Sequence, residues 1–178
     1  MLAELLRVNF LPESRVPPYA IRVLRTLVRQ RRHLVKMAVM NKNRIRHLLF
    51  LHGVTLAVSD IASPKARREM RRLWLPAVTR HAIEQCLQVI SCLEKSLKEL
   101  EGQLQQLAGG DETVELLRTI PGVGWLRAIT VFAEIGQISR FRSAKALAGY
   151  TGLVPIVRAS GEGVYLGRIT KKRFFNTL

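Results

Sequence analysis

Apolar residues recur at three- and four-residue intervals through the first 107 residues of this chain, the period of a helix with one buried face. From Tyr19 the series Ile21, Leu24, Leu27, Val28, Leu34, Val35, Ala38, Ile45, Leu48 and Leu49 predicts a helix reaching His52. At 1.5 Å per residue, its roughly 33 residues span about 50 Å. Pro17 and Pro18 are placed to fix its first turn, after a proline-punctuated connector over residues 11–18 and the end of a helix over residues 1–7. Gly53, Ser59, Asp60, Ser63 and Pro64 interrupt, and a second periodic run covers residues 65–107. It carries the near-heptad series Ile83, Ile90, Leu97, Leu104 with its companions Leu87, Leu93 and Leu100, and Pro76 predicts a break after Leu75. Two runs of this length predict an antiparallel coiled-coil hairpin, formed in one chain or between protomers. An arm two layers thick needs a further helix to bury it, which favours a homodimer through the coiled coil.

The pattern then changes. Gly109 and Gly110 form a linker, and Asp111 or Thr113 can cap a helix leading into LLRTIPGVGWLRAITVFAEIG, residues 116–136. Ile120 and Pro121 end one helix, and Gly122 and Gly124 bracket Val123 at a sharp turn where positive φ is cheap only for glycine. A second helix follows, with Leu126, Ile129, Val131, Phe132 and Ile135 as its apolar face and Ala128 and Ala133 permitting close approach. This is the layout of a helix-hairpin-helix, in which free amides and a helix N-terminus face outward and suit a phosphate oxygen. A purely structural αα corner requires the same glycines; the basic surroundings favour phosphate contact, with Gly122, Val123, Gly124 and Arg127 as the candidates. Residues 138–150 read as a short helix opened by Ser139 or Ser143, and residues 151–178 as an irregular basic tail. The whole is a mainly α fold in two units, a basic helical arm over residues 1–107 and a hairpin-containing domain over residues 108–178.

Charge turns this fold towards polyanions. In 178 residues, 29 Lys and Arg face 13 Asp and Glu, a net +16, while 48% hydrophobic residues suffice for a core and exclude a disordered basic tail. Residues 1–52 hold eleven Lys and Arg against Glu4 and Glu13, a net +9, with Arg29, Arg32 and Arg44 as candidate nucleic-acid contacts. Arginine predominates, and its planar fork suits phosphate. Residues 47–59, the longest uncharged stretch near the front, fall short of the roughly 20 residues a span requires. The first ten residues lack the regions of a signal peptide, so no membrane association and a cytoplasmic location are expected. Cys86 and Cys92, six apart, match no zinc or redox spacing, and His33, His47, His52 and His81 form no ligand pattern; no metal site is expected from them.

These motifs in this order resemble the transposases of the insertion-sequence 110/116/902 type. The resemblance is carried by residues 116–136, by FRSAKALAGYTGLVP over residues 141–155, by the Ser-Gly pair within RASGEG and by GRITK at residues 167–171, with LAELLR at the start and the long basic helix also similar. It implies a recombinase that moves DNA with a serine nucleophile, dimerises through its coiled coil and, in several members, pairs a structured RNA with DNA. The matching serine is Ser160, which alone reads as a turn residue before Gly161. Arg158, Arg168, Lys171 and Lys172 are the cations that could contact nucleic acid beside it. The family's Mg²⁺ belongs to an acidic RNase H-like domain that has no counterpart here, so no cofactor is expected in this chain. With RFFNTL after ITKK, a truncated form that binds DNA but cuts poorly is expected. The alternative is a stand-alone architectural protein using the hairpin as a phosphate clip.

Overall fold

The computed structural model describes residues 2–8, 16–160 and 163–169. It is mainly helical, as the periodicity predicts. A short α1 (Leu2–Arg7) precedes α2 (Tyr19–Phe50), whose 32 residues make one unbroken helix after Pro17 and Pro18. Gly53, at φ +69°, stops it: its amide donates to the Phe50 carbonyl at 2.9 Å. Helix α3 (Pro64–Arg72) starts on a Ser63 hydroxyl that accepts from the Ala66 amide at 3.2 Å, with Pro64 in the first turn. Residues 73–76 lie outside any helix, and α4 (Ala77–Ala108) follows Pro76. The predicted break therefore opens after Arg72, three residues earlier than Leu75, because Leu73 already adopts β geometry.

Helices α2 and α4 pack antiparallel. Ile45, Leu48 and Leu49 near the end of α2 share a buried cluster with Ile83, Leu87 and Ile90 near the start of α4. Leu24 and Val28 share a second cluster with Leu100, Leu104 and Ala108. Arg31 ties the same pair by an ion pair to Glu101 at 2.7 Å. A third layer is present at both ends within the one chain. Ala66 and Met70 of α3, with Ile61 and Ala62 before it, close the first cluster. Val114, Ala128, Ile129 and Ala133 close the second. Each fully buried Ile or Leu here contributes roughly 1.5–3 kcal/mol relative to exposure.

Helices α5 (Glu112–Arg118) and α6 (Trp125–Ile135) supply that second closure. The run over residues 138–150 is not one helix. It forms a single 3₁₀ turn, Ile138–Arg140, then Phe141 is extended and α7 (Ala144–Thr151) starts on the Ser143 hydroxyl. Part of the tail read as irregular is ordered as strands: β1 (Pro155–Ser160) pairs antiparallel with β2 (Gly163–Ile169), with a bulge between Pro155 and Val157. Ile156, Val157, Val164, Tyr165 and Ile169 are β-favouring types flanking Gly161 and Gly163, a hairpin signal diluted by the glycines and arginines around it. Among the described residues, no helix is long and apolar enough to cross a membrane.

Candidate nucleic-acid interface

The turn between α5 and α6 is built as its residues require. Asp111 caps α5, its carboxylate accepting from the Thr113 and Val114 amides at 2.9 and 3.3 Å. The helix runs out at Thr119, and Gly122 turns the chain at φ +83°. Val123 donates its amide to the Ile120 carbonyl at 3.0 Å, so that N–H is used internally. Gly124, at the head of α6, has no side chain to cap it, and the first-turn amides of Trp125, Leu126 and Arg127 receive no side-chain acceptor. Gly122 and Gly124 are exposed, and a Cβ on either would meet nothing within 4 Å. With Trp125, Leu126 and Arg127 they line an open concavity. Arg127 folds back so that its Nη1 donates to the Gly122 carbonyl at 2.7 Å, which places a guanidinium at the same corner. Uncapped amides, the positive end of an 11-residue helix and an exposed arginine converge there, an arrangement suited to an anionic oxygen.

What fixes this corner against the long arm is an acid that periodicity alone leaves unremarked. Glu134 of α6 is 5% exposed, and both its oxygens accept from Arg29 of α2, at 2.9 Å from Nε and 3.0 Å from Nη2. Arg25, one turn away, lies 3.4 Å from the same carboxylate. Its Nε and Nη2 also donate to the Ala133 and Glu134 carbonyls at 3.1 and 3.0 Å. The Tyr150 hydroxyl donates to the Glu134 carbonyl at 3.1 Å, adding α7 to the junction. Hydrogen bonding to Glu134 pushes the Arg29 guanidinium pKa up, outweighing the opposing effect of burial. Arg140 is held between two rings, its guanidinium carbon 4.3 Å from the Phe141 centroid and 4.4 Å from that of Tyr150. One signal could have pointed to Glu134: it is the single acid on a mostly apolar helix whose other polar residues are Arg127 and Thr130.

The candidate residues are therefore distributed over different surroundings. Gly122, Val123, Gly124 and Arg127 come together at one corner. Arg29 is on the arm, with its charge engaged by Glu134 while its side chain stays 59% exposed. Arg32 and Arg44 are exposed on α2 with no partner among the described residues. Ser160 ends β1 in register with Gly163, and Arg158 pairs in register with Tyr165. Arg168 belongs to β2. Lys171 and Lys172 lie outside the described residues. The magnesium implied by the resemblance finds no cradle among the described residues: no three His, Cys, Asp or Glu side chains gather, and Glu134, the buried acid, is engaged by two arginines.

Comparison with known proteins agrees with this reading of the motifs. Residues 114–176 match the model of the transposase IS116/IS110/IS902 family, a span that takes in the α5–α6 corner, α7 and the strand pair. The chain is 30% identical over 156 residues to the transposase for insertion sequence element IS1111A of Coxiella burnetii, covering 84% of this chain and 42% of that protein. It is 28% identical over 153 residues to a protein of Pseudomonas aeruginosa described as a probable family 20 transposase, covering 84% and 45%. With the transposase for element IS1328 of Yersinia enterocolitica it shares 25% identity over 146 residues, covering 82% and 44%. The chain thus spans less than half the length of these relatives. Since the alignments run through the long arm as well as the segment that the family model recognises, the chain belongs to the IS116/IS110/IS902 transposase family.

Proposed function

We propose that this chain is the part of an insertion-sequence transposase that grips nucleic acid and brings two copies together. In this reading the α5–turn–α6 corner is a helix-hairpin-helix that holds one backbone phosphate of DNA. The observation that carries it is the exposed Gly122–Gly124 turn, with an uncapped α6 N-terminus and Arg127 beside it. Such a clip touches no base edge, so it positions DNA without reading its sequence. The net +16 charge of the chain supports the same partner and extends to a structured RNA on the exposed arginines of the arm. Two copies pair through the α2–α4 arm. Between its two core clusters the arm exposes Val39 and Met40, which a second copy would cover.

The hydroxyl of Ser160 is the proposed nucleophile. Its oxygen attacks phosphorus, a seryl phosphodiester forms, and the displaced DNA oxygen leaves with a proton. Arg158 and Arg168, on the two paired strands, are the cations proposed to stabilise the developing charge.

Titration of a labelled DNA duplex by fluorescence anisotropy at several salt concentrations tests the clip. Arg127→Ala should weaken duplexes of unrelated sequence equally and lower the slope of log affinity against log salt by roughly 0.9. An unchanged slope, or a loss confined to one sequence, overturns the clip. Ser160→Ala should leave duplex affinity within about twofold while abolishing covalent protein–DNA adducts on denaturing gels. Adducts that persist in that variant overturn the assignment of Ser160.

A further inference from the structure

The far end of the arm, away from the hairpin corner, carries an exposed indole among cations. Residues 73–76 cross from α3 to α4 outside any helix, beginning with Leu73 in β geometry. Leu75 is buried and Leu73 packs against the same core cluster, which leaves Trp74 between them facing outward, 92% exposed. The segment is anchored from both sides. Arg80 of α4 donates Nη2 to the Leu73 carbonyl at 3.0 Å, and Pro76 leads directly into α4. Trp74 is therefore displayed on a fixed backbone.

Its surroundings are cationic. Helix α3 turns Ala66 and Met70 into the core, and Lys65, Arg68 and Arg72 follow one another at helical spacing on its exposed side. Residues 64–72 hold five Lys and Arg against Glu69 alone, a net +4. None of Lys65, Arg68, Arg71 and Arg72 has an acidic partner among the described residues. The basic last turn of α3 is also favourable to its own helix dipole, yet this requires no indole next to it.

We propose that this end of the arm is a second nucleic-acid site, in which Trp74 stacks on an unpaired base of a strand whose phosphates lie along Lys65, Arg68 and Arg72. The inference rests on the nucleic-acid reading above but not on the hairpin corner. A stacked duplex keeps its base faces covered, so an indole displayed singly selects a loop, bulge or single strand. A second copy of the chain is disfavoured as occupant, because it would bring the same positive charge to this surface. A bilayer is disfavoured too, since the apolar side of α3 is turned into the core and leaves little to insert.

The test uses the full chain and fluorescein-labelled 20-nucleotide single strands of mixed sequence, one RNA and one DNA, with a blunt duplex DNA as the third probe. Trp74→Ala should weaken single-strand binding by roughly 5- to 150-fold, the range that loss of one base–aromatic stack gives. Its salt slope and duplex affinity should be unchanged. Trp74→Phe, which keeps a ring, should bind within about threefold of the unaltered chain, while tryptophan quenching by single strands falls to whatever Trp125, the other tryptophan, supplies. The double variant Arg68→Ala/Arg72→Ala should lower the single-strand slope by about 1.4. Tighter binding of the RNA or of the DNA strand identifies which of the two supplies the unpaired base. Circular-dichroism melts of both Trp74 variants should match the unaltered chain, as the side chain touches almost nothing.

Single-strand affinity unchanged in Trp74→Ala overturns the site, as does failure of the unaltered chain to bind either strand. A fall in sedimentation mass at constant strand affinity also overturns it and makes the surface a contact between copies. The two nucleic-acid readings separate cleanly. Loss of duplex binding in Arg127→Ala with no Trp74 effect leaves the clip standing and removes this site, and the reverse pattern does the opposite.

Discussion

Replacing Glu134 tests whether the hairpin corner is held on the arm by charge as well as by apolar contact. Glu134→Gln removes the negative charge and replaces one of the two oxygens that Arg29 uses with an NH₂ donor, and it takes away the nearest anion to Arg25. Breaking a fully buried ion pair costs about 3–5 kcal/mol because a charge is left stranded. Here the loss is smaller. The Arg29 side chain is 59% exposed and can return to water, so its pairing contributes only about 0.5–1 kcal/mol. The Arg25 side chain is 18% exposed but keeps two carbonyl acceptors, so losing the carboxylate 3.4 Å away costs it about 1–2 kcal/mol. Glu134→Gln, which preserves shape, should therefore destabilise the chain by about 1.5–3 kcal/mol. Arg29→Ala should cost about 1.5–3 kcal/mol, because it takes both hydrogen-bond donors from the buried Glu134 carboxylate and leaves Arg25, at 3.4 Å, to face it. Arg25→Ala, which strips the Ala133 and Glu134 carbonyls of a charged donor, should fall between about 1.5 and 3 kcal/mol. Urea denaturation followed by circular dichroism measures all three, and a double-mutant cycle of Glu134→Gln with Arg29→Ala isolates their coupling. If Glu134→Gln stays within about 0.5 kcal/mol of the unaltered chain, a rough limit for surface changes, the reasoning from burial is wrong.

Other consequences are local. Gly122→Ala should cost about 1–2 kcal/mol in urea melts because residue 122 sits at φ +83°, whereas Gly124→Ala, at φ −76° with open space around it, should be nearly neutral. Asp111→Ala removes the acceptor for two α5 amides and should cost about 1 kcal/mol by the same measurement. Asp60 accepts from the Ala62 amide at 3.1 Å and pairs with Lys42 at 3.0 Å; the backbone bond first, then Lys42 and Arg46, hold its carboxyl below the usual range against the opposing effect of burial. A depressed folded pKa gives stability that is present above the unfolded value of about 3.9 and lost as pH falls through the folded one. Acid titration below about pH 4 should therefore destabilise the unaltered chain more steeply than Asp60→Asn, and parallel curves would refute that role.

The long elements were legible because their signals are redundant. Two dozen or more residues of consistent helical period, proline at the start of each long helix and glycine at the end of the first all point to the same pair, and α2 and α4 form almost where the period places them. Among the shorter elements, α5 and α7 were legible from their caps, Asp111 and Ser143, and the uncapped α6 from its apolar face. Residues 138–150 misled because ISRFRSAKALAGY keeps a helical composition throughout, while Phe141 turns out of the helix to stack with Tyr150 at 5.3 Å between centroids. The strand pair was hidden for a different reason. Glycines and arginines are interspersed through this part of the sequence, so composition reads as loop, and pairing between two strands is a tertiary preference that no single stretch announces.

Charge was the least legible quantity at the level of the site, although the most obvious in bulk. A sum of +16 states that the chain attracts polyanions but cannot say which guanidiniums are available to them. For Arg25, Arg29 and Arg31 of α2 the answer depends on partners 70 or more positions away. Arg31 is paired with Glu101, Arg25 and Arg29 with Glu134, while Arg32, next to Arg31 in sequence, projects from the helix with no acid to meet it. Arginines one and three positions apart thus serve different ends: Arg25 and Arg29 fix the hairpin corner to the arm and Arg31 ties α2 to α4, whereas Arg32 on the open side carries the field that a phosphate backbone would feel. The corner can present its glycines and Arg127 outward only because Glu134, about two helical turns further along α6, is drawn down onto the arm. In the proposed clip, Arg25 and Arg29 would act chiefly through the orientation they impose on the corner. Their loss should alter how the corner is held before it alters the long-range attraction, and only the second effect is erased by added salt.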